Sequence, residues 1–193
     1  MDKFLAKAKV DKRIYVHNDL ENAAFYFAKR VEERSKKDDR EGIGLEMMAC
    51  LIMLAFAAEA QFNFLGFKLI KEWKEKEPAL VKVHAVLKEL KVDNDLKARP
   101  YKTIHELKDL RDMLAHGKPQ EIQLEETVVA TEEELSKKGA LTHDYEQFLT
   151  EAFVAQACED VDAIWKDLLK RADLKITDTI TSGGVEWTVT RSA

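Results

Sequence analysis

An arginine and a histidine near the end of one predicted helix are the residues of this chain best suited to acid–base chemistry. Arg111, Asp112 and His116 lie in one apolar-periodic segment, and Gly117 followed by Pro119 predicts that the helix ends there. The helix C-terminus favours a cationic imidazole at His116, and Asp112 lies one turn earlier, where it could orient the ring. An imidazole that moves protons beside a guanidinium that stabilises negative charge could cleave a phosphodiester without a metal.

The same spacing has two other interpretations. An arginine and a C-capping histidine are common on helix surfaces, and spacing alone does not distinguish them from a catalytic pair. A metal site is the second alternative, because two residues of the polar stripe on this helix could bind a divalent ion together with a residue of another helix. The whole stripe cannot share one ion, since its ends are about 16 Å apart along the axis. We therefore predict no metal or other cofactor. The stripe consists of His105, Asp109, Asp112 and His116.

The overall charge excludes binding to nucleic acid or anionic membranes through bulk positive charge. The 193 residues carry 31 basic and 36 acidic side chains, a formal net charge of -5. The segment from Lys97 to Lys118 is different, because it contains six basic residues and three acidic ones. This local excess predicts a phosphate-binding patch around the candidate pair, with Lys108 and Lys118 as substrate-binding residues.

The composition and the hydrophobic pattern predict an all-α fold. Only 7 glycines and 3 prolines occur, too few for a turn-rich β-sandwich. We expect a single domain over residues 1–193, an up-down bundle of about five helices with a small C-terminal β-hairpin over 175–190. Its strands would be 175–181 and 185–190, around a turn at 182–184. The predicted helices are 18–37, 45–75, one that begins at Pro78, 103–116, a short one over 131–139, and 142–172.

Three sequence patterns predict capped helix starts, since a Thr or Asn is followed three residues later by a Glu. The predicted capping boxes are Asn18 with Glu21, Thr103 with Glu106 and Thr131 with Glu134.

The sequence predicts a cytoplasmic protein without a membrane partner. The N-terminus has no apolar signal-peptide core, and the one continuous apolar run spans only residues 47–58. A membrane-spanning helix needs about 20 apolar residues. The two cysteines, Cys50 and Cys158, are too few for a disulfide framework and predict small buried side chains in a reducing compartment.

The motif residues resemble a known superfamily. The string from Arg111 to His116 is similar to the R-x4-6-H motif of the HEPN superfamily, the helical nuclease domains of prokaryotic toxin and defence systems. Asp112 matches the polar residue that usually follows the arginine. The long second helix resembles the family's helix with Glu and Asn one turn apart, at Glu59 and Asn63. The resemblance covers residues 18–172, and neither the 121–139 segment nor the C-terminal hairpin matches the family pattern.

The resemblance implies a bundle that dimerises, with the two motifs meeting across the subunit interface. It also implies metal-independent RNA cleavage, in which the RNA 2′-hydroxyl attacks its own phosphate. Arg111 would bind the phosphate, His116 would transfer protons and Asp112 would orient them, with Glu59 and Asn63 in supporting roles. We therefore expect an endoribonuclease of a toxin or defence system, a homodimer with RNA as substrate and an antitoxin or regulatory protein as partner. The alternative is a non-catalytic HEPN-like module that binds a protein or a nucleotide.

Overall fold

The computed structural model describes residues 5–93, 95–117, 119, 121, 127–132, 134–135 and 143–190. Within these ranges it contains five long helices, two short 3-10 helices and two strands. The 3-10 helices are Asp144–Phe148 and Ile176–Thr179, and the strands are β1 (Leu5–Arg13) and β2 (Ser182–Thr190). The helices are α1 (His17–Ser35), α2 (Ile43–Leu69), α3 (Ala79–Glu89), α4 (Tyr101–Ala115) and α5 (Glu151–Arg171).

The helix α2 is the centre of the bundle and packs against α1, α3, α4 and α5. Contacts at its two ends show that α1 runs antiparallel to it, since the His17 ring lies beside Phe64 and Arg30 pairs with Glu46. The prediction of a helical bundle is therefore confirmed. The largest core side chains come from α2, α3, α4 and α5, and those under 2% exposed include Leu51, Leu65, Val86, Leu107, Leu110 and Leu168.

The apolar character of α2 extends well beyond the predicted run of residues 47–58. The helix has 27 residues, and an 18-residue window reaches a mean hydropathy of 1.8, so its length and composition would allow it to cross a membrane. A buried core helix of a soluble protein meets the same criterion. Here α2 contacts four other helices, and that packing is sufficient reason for its apolar sequence.

Two of the three predicted capping boxes are wrong. The helix α1 begins at His17 without a side-chain cap, and the Asn18 amide donates instead to the Thr179 carbonyl at 2.6 Å. The helix α4 begins at Tyr101, before Thr103, whose buried hydroxyl donates to Asp160 on α5 at 2.5 Å. Both side chains have tertiary partners that replace the local cap.

The third capping box is confirmed. The Thr131 backbone N–H donates to the Glu134 carboxylate at 2.8 Å, and the Glu134 N–H donates back to the Thr131 hydroxyl at 3.3 Å. The last long helix, predicted from residue 142, begins instead at Glu151. Thr150 caps it by accepting a hydrogen bond from the Phe153 N–H at 3.1 Å.

The helix α2 ends at Leu69, before the predicted residue 75, because the chain turns back on itself. The indole of Trp73 lies directly against Gly66, where a Cβ atom would come within 2.4 Å of three ring atoms. Gly66 therefore permits a close approach that any other residue would obstruct.

The two strands come from opposite ends of the described chain. The strands β1 and β2 are antiparallel, with Leu5 opposite Thr190 and Arg13 opposite Ser182. The predicted small sheet is present, but its pairing differs from the predicted hairpin: residues 176–179 form a 3-10 helix instead of the first hairpin strand. Residues 182–184 lie within β2 and form no turn. A Cβ atom at Gly183 would lie 2.7 Å from the Asp11 carbonyl oxygen, so this glycine allows the two strands to approach.

Candidate functional site

The structure brings Arg111 of α4 against Glu59 of α2. One terminal nitrogen of the guanidinium, Nη1, donates to the Glu59 carboxylate. The other two nitrogens, Nε and Nη2, donate to Asp112 Oδ1 at 3.0 and 2.7 Å. All three guanidinium nitrogens are therefore hydrogen-bonded, and the side chain is only 19% exposed. The two segments on which the family resemblance rests are in direct contact.

A third residue of this site, Lys82 of α3, was missed by sequence analysis. Its ammonium lies 2.5 Å from the second oxygen of Glu59 and donates to the Glu75 carbonyl at 3.3 Å. The side chain is only 4% exposed. The sequence spacing could have identified it, because Lys82 lies one turn before Val86 and therefore on the buried face of α3. A lysine at such a position needs a carboxylate partner.

Lys108, predicted to bind substrate, is instead paired within α4. Its ammonium lies 3.0 Å from Asp112 Oδ2 and 3.2 Å from Asp109 Oδ1. Lys118, the other predicted substrate-binding residue, lies outside the described residues. Together the paired side chains form one continuous ion network between α3, α2 and α4. The network consists of Lys82, Glu59, Arg111, Asp112 and Lys108.

The network keeps both of its carboxylates ionised. Burial alone would raise the pKa of Glu59, but the ion pairs with Lys82 and Arg111 outweigh it, so this pKa lies below its ordinary value. The pKa of Asp112 is lowered in the same way, because Lys108 and Arg111 outweigh the effect of burial. Burial would lower the pKa of the Arg111 guanidinium, but Asp112 and Glu59 raise it above its ordinary value. Glu59, Asp112 and Arg111 are therefore all charged at neutral pH.

His116 lies beside this network and outside it. It is the C-cap of α4, an exposed residue whose backbone N–H donates to the Asp112 carbonyl at 3.0 Å. Within the described part of the chain, no hydrogen bond or ion pair involves its imidazole. The Asp112 carboxylate, predicted to orient this ring, binds Arg111 and Lys108 instead, because both cations form charge-assisted bonds with it.

Asn63, one turn after Glu59, belongs to a different surface. It lines a cleft of about 430 Å³ at the base of the sheet, together with Tyr15, Phe64 and Phe67. Its Oδ1 is buried, and no partner for it is present among the described residues. Asn63 therefore does not contact Arg111, and its predicted supporting role has no structural counterpart in the network.

The predicted positive patch is largely offset by carboxylates of other helices. Arg99 binds Asp160 of α5 through Nε and Nη2, at distances from 2.8 to 3.2 Å, and also contacts Glu159. Lys102 pairs with Glu106 at 2.9 Å. The charge excess along the segment from Lys97 to Lys118 does not include the acidic side chains of α2 and α5 that the fold brings to it, Glu59, Glu159 and Asp160.

The metal alternative gains no support from the geometry. Among the residues that the structure describes, no group of three or more His, Cys, Asp or Glu side chains is placed to hold a metal ion. The two histidines of the predicted stripe lie in different environments, since His105 has a buried ring nitrogen and His116 is exposed.

The arrangement therefore combines a fixed guanidinium with a nearby exposed imidazole on one helix end. Comparisons of the chain with protein-family models, curated proteins and solved structures find no match.

Proposed function

We propose that this chain is a metal-independent endoribonuclease of the HEPN type, acting through Arg111 and His116. One observation carries the proposal: Glu59 of α2 binds Arg111 of α4, although the two residues are 52 positions apart in the sequence. The family resemblance assigns both residues to one site, although the arginine lies on α4 and the glutamate on α2. Their contact supports reading them as parts of one site.

The proposed reaction needs a proton acceptor and a cation at one phosphate. The RNA 2′-oxygen attacks the neighbouring phosphorus, its proton passes to the His116 imidazole, and the bond from phosphorus to the 5′-oxygen breaks. Arg111 stabilises the negative charge that develops on the phosphate oxygens. A second imidazole, from the other subunit of the proposed homodimer, protonates the leaving 5′-oxygen. The products are a 2′,3′-cyclic phosphate and a free 5′-hydroxyl.

The ion network sets a condition on this reaction. Asp112 accepts from both Nε and Nη2 of Arg111, so a substrate phosphate that binds this edge of the guanidinium with two hydrogen bonds must replace that carboxylate. The bond to Glu59 can persist during this exchange and keep the guanidinium in place. In this proposal Glu59 is a positioning residue, and Asp112 is a competitor of the substrate.

An exposed apolar stripe on α2 supports the proposed homodimer. Leu45, Phe56 and Phe67 are 71%, 39% and 64% exposed and lie at intervals of eleven residues, on one side of the helix. Glu59 follows Phe56 by three residues, at the border of this stripe. A second copy that covered the stripe would therefore lie next to the Arg111 site.

RNA cleavage in EDTA with end-group analysis tests the proposal. We expect the purified protein to cleave a mixture of structured and single-stranded RNAs and to leave 2′,3′-cyclic phosphate ends. His116→Ala and Arg111→Ala should each lose about 10²–10⁴-fold in rate. Arg111→Lys, which keeps one positive charge, distinguishes lost chemistry from a lost fold. The matched controls are His84→Ala, at an exposed histidine of α3, and Arg171→Ala, at an ion-paired arginine of α5. Undiminished cleavage by the His116→Ala or Arg111→Ala variant would falsify the proposal.

The pairing of Arg111 with two protein carboxylates favours a second function, a non-catalytic module that binds a protein or a nucleotide. A guanidinium with all three nitrogens occupied is a structural element unless something displaces its partners. This function predicts no cleavage by the purified protein and co-purification with a regulatory protein. The proposed enzyme belongs to a cytoplasmic toxin or defence system, in which an antitoxin would be that partner.

A further inference from the structure

The two strands form a ribbon with no cover on either face. Every described side chain of β1 and β2, meaning residues 5–13 and 182–189, is exposed. A single pair of strands is marginally stable in water, because it buries too little apolar surface. At the base of the ribbon the Tyr15 N–H donates to the Thr181 hydroxyl at 2.9 Å, which holds the two chain segments together where they enter the bundle.

The two faces of the ribbon differ sharply in chemistry. Residues opposite each other in an antiparallel pair point to the same face, so the register assigns every side chain to a face. The charges of one face are Lys7, Lys9, Asp11, Arg13 and Glu186, and Leu5 is its one large apolar residue. The other is mostly apolar, although its side chains are exposed: Trp187 is 66% exposed, Val189 53% and Val10 51%. The apolar face consists of Ala6, Ala8, Val10, Gly183, Val185, Trp187 and Val189, with Lys12 as its one charged residue, near the end of the ribbon that joins the bundle.

The two open edges also differ. The strand β1 carries four cations and one carboxylate, and such lysine-rich edges repel a second strand of the same kind. The strand β2 carries a single charge, Glu186, among β-branched and small residues. An edge of that composition is well suited to pairing with another strand.

We propose that β2 pairs with β2 of a second copy of this chain, antiparallel about a two-fold axis through Trp187. The product is a four-stranded sheet with β1 on both outer edges and one continuous apolar face. This inference rests on the ribbon alone and does not depend on the nuclease proposal.

Charge and pleat select this register from its alternatives. The apolar face continues from one copy to the other only if Val185, Trp187 and Val189 of one β2 lie opposite the same three residues of the second β2. Shifting the register of the β2–β2 pair by an odd number of residues would put them on opposite faces, so such registers are excluded. Centring the pair on Glu186 would place two carboxylates opposite each other, which is unfavourable. Centring it on Trp187 places Val185 opposite Val189 and Glu186 opposite Thr188. No like charges then face each other across the β2–β2 pair.

Substitutions at the axis provide a charge-swap test. Trp187→Lys and Trp187→Glu each place like charges opposite themselves, so each should raise the dimer dissociation constant on the order of tenfold or more. An equimolar mixture of the two should restore association as a heterodimer, which multi-angle light scattering would record as twice the 22.1 kDa chain mass. Thr188→Gln is the control on the other face, where a neutral polar side chain would lie opposite Glu186 of the second copy and Lys7 of its own ribbon and leave the dimer intact.

The Phe56→Lys variant distinguishes association through β2 from association through the apolar stripe of α2. If ribbon pairing holds, Phe56→Lys retains the ribbon-mediated association that Trp187→Lys weakens. Two outcomes would overturn the inference: a Phe56→Lys protein that is monomeric at 100-fold the concentration used in the charge-swap experiment, or no recovery of association in the charge-swap mixture. Loss of RNA cleavage without loss of association would affect only the nuclease proposal.

Discussion

Glu59 and Arg111 form an ion pair that joins α2 to α4, and the same Glu59 carboxylate holds the buried ammonium of Lys82 on α3. One carboxylate therefore connects three helices. Neither cation can move without affecting the other, because both depend on the same acceptor. The position of the candidate catalytic arginine is thus set by a residue of the core helix.

Glu59→Gln should destabilise the fold by about 2 kcal/mol, because it leaves the Lys82 ammonium without its charged partner. The pKa of Glu59 is lower in the folded protein than in the unfolded chain, so the unfolded state binds a proton first as the pH falls. The stability difference between wild type and variant should therefore be complete above about pH 5 and shrink below about pH 4.3. Urea unfolding at a series of pH values measures it.

Glu32→Gln is the control for this experiment. Glu32 forms an exposed i,i+4 pair with Lys36, and such pairs contribute little to stability. A pH-independent difference between wild type and Glu59→Gln would contradict the assigned role of the carboxylate.

Asp160→Asn should cost about 2–3 kcal/mol, since Asp160 is a buried acceptor shared by Arg99 and Thr103. An asparagine has the same shape but presents an amide donor to a guanidinium. Asp162→Asn, at an exposed pair with Lys166 on the same helix, should change the free energy of unfolding by under about 0.5 kcal/mol. Equal effects of the two substitutions would show that the Asp160 contacts do not contribute to stability.

Gly66→Ala should destabilise the protein by about 1–3 kcal/mol, because its Cβ would overlap the indole of Trp73. Gly44, in the first turn of the same helix, has no neighbour within 4 Å of the position of a Cβ. Gly44→Ala should therefore stabilise the protein by up to about 1 kcal/mol. Thermal unfolding of both variants measures the contrast, and the expectation fails if Gly66→Ala melts at or above the wild-type temperature.

Cys158 should react with thiol reagents well before Cys50. The neighbouring Cys158 thiol and burial raise the pKa of Cys50, and the interaction with Cys50 lowers the pKa of Cys158. Cys158 also lines a groove of about 640 Å³ between α1 and α5. Titration with a chromogenic disulfide should show one fast thiol per chain, which Cys158→Ser removes and Cys50→Ala retains. A fast phase that survives in Cys158→Ser would reverse the assignment.

The sequence predicted helices where the pattern is local and failed where a partner lies far along the chain. Two kinds of pattern depend only on neighbours within one turn: the apolar spacing in α3 and α4, and the capping box at Thr131. The structure contains these helices and this capping box. Asn18 and Thr103 fit the capping pattern equally well, but their side chains bind Thr179 and Asp160. No local pattern carries that information.

In the candidate site too, the residues could be predicted from local patterns, but their long-range contacts could not. Arg111, His116 and Glu59 were identified from short segments, whereas the network that connects Arg111 to Lys82 depends on the packing of three helices. The Asp112 carboxylate was predicted to face His116 because both lie on one helix face. It binds Arg111 and Lys108 instead, since its attraction to these two cations outweighs its proximity to His116 along the helix.

The pairing of β1 with β2 also has a consequence for synthesis on the ribosome. The strand β1 is made first, but its partner leaves the exit tunnel only after all five long helices have been translated. Until then β1 has no strand to pair with, and its lysines discourage premature association with other nascent chains. The ribbon closes a loop of nearly the whole chain, so it should be the last element to form and a reporter of completed folding.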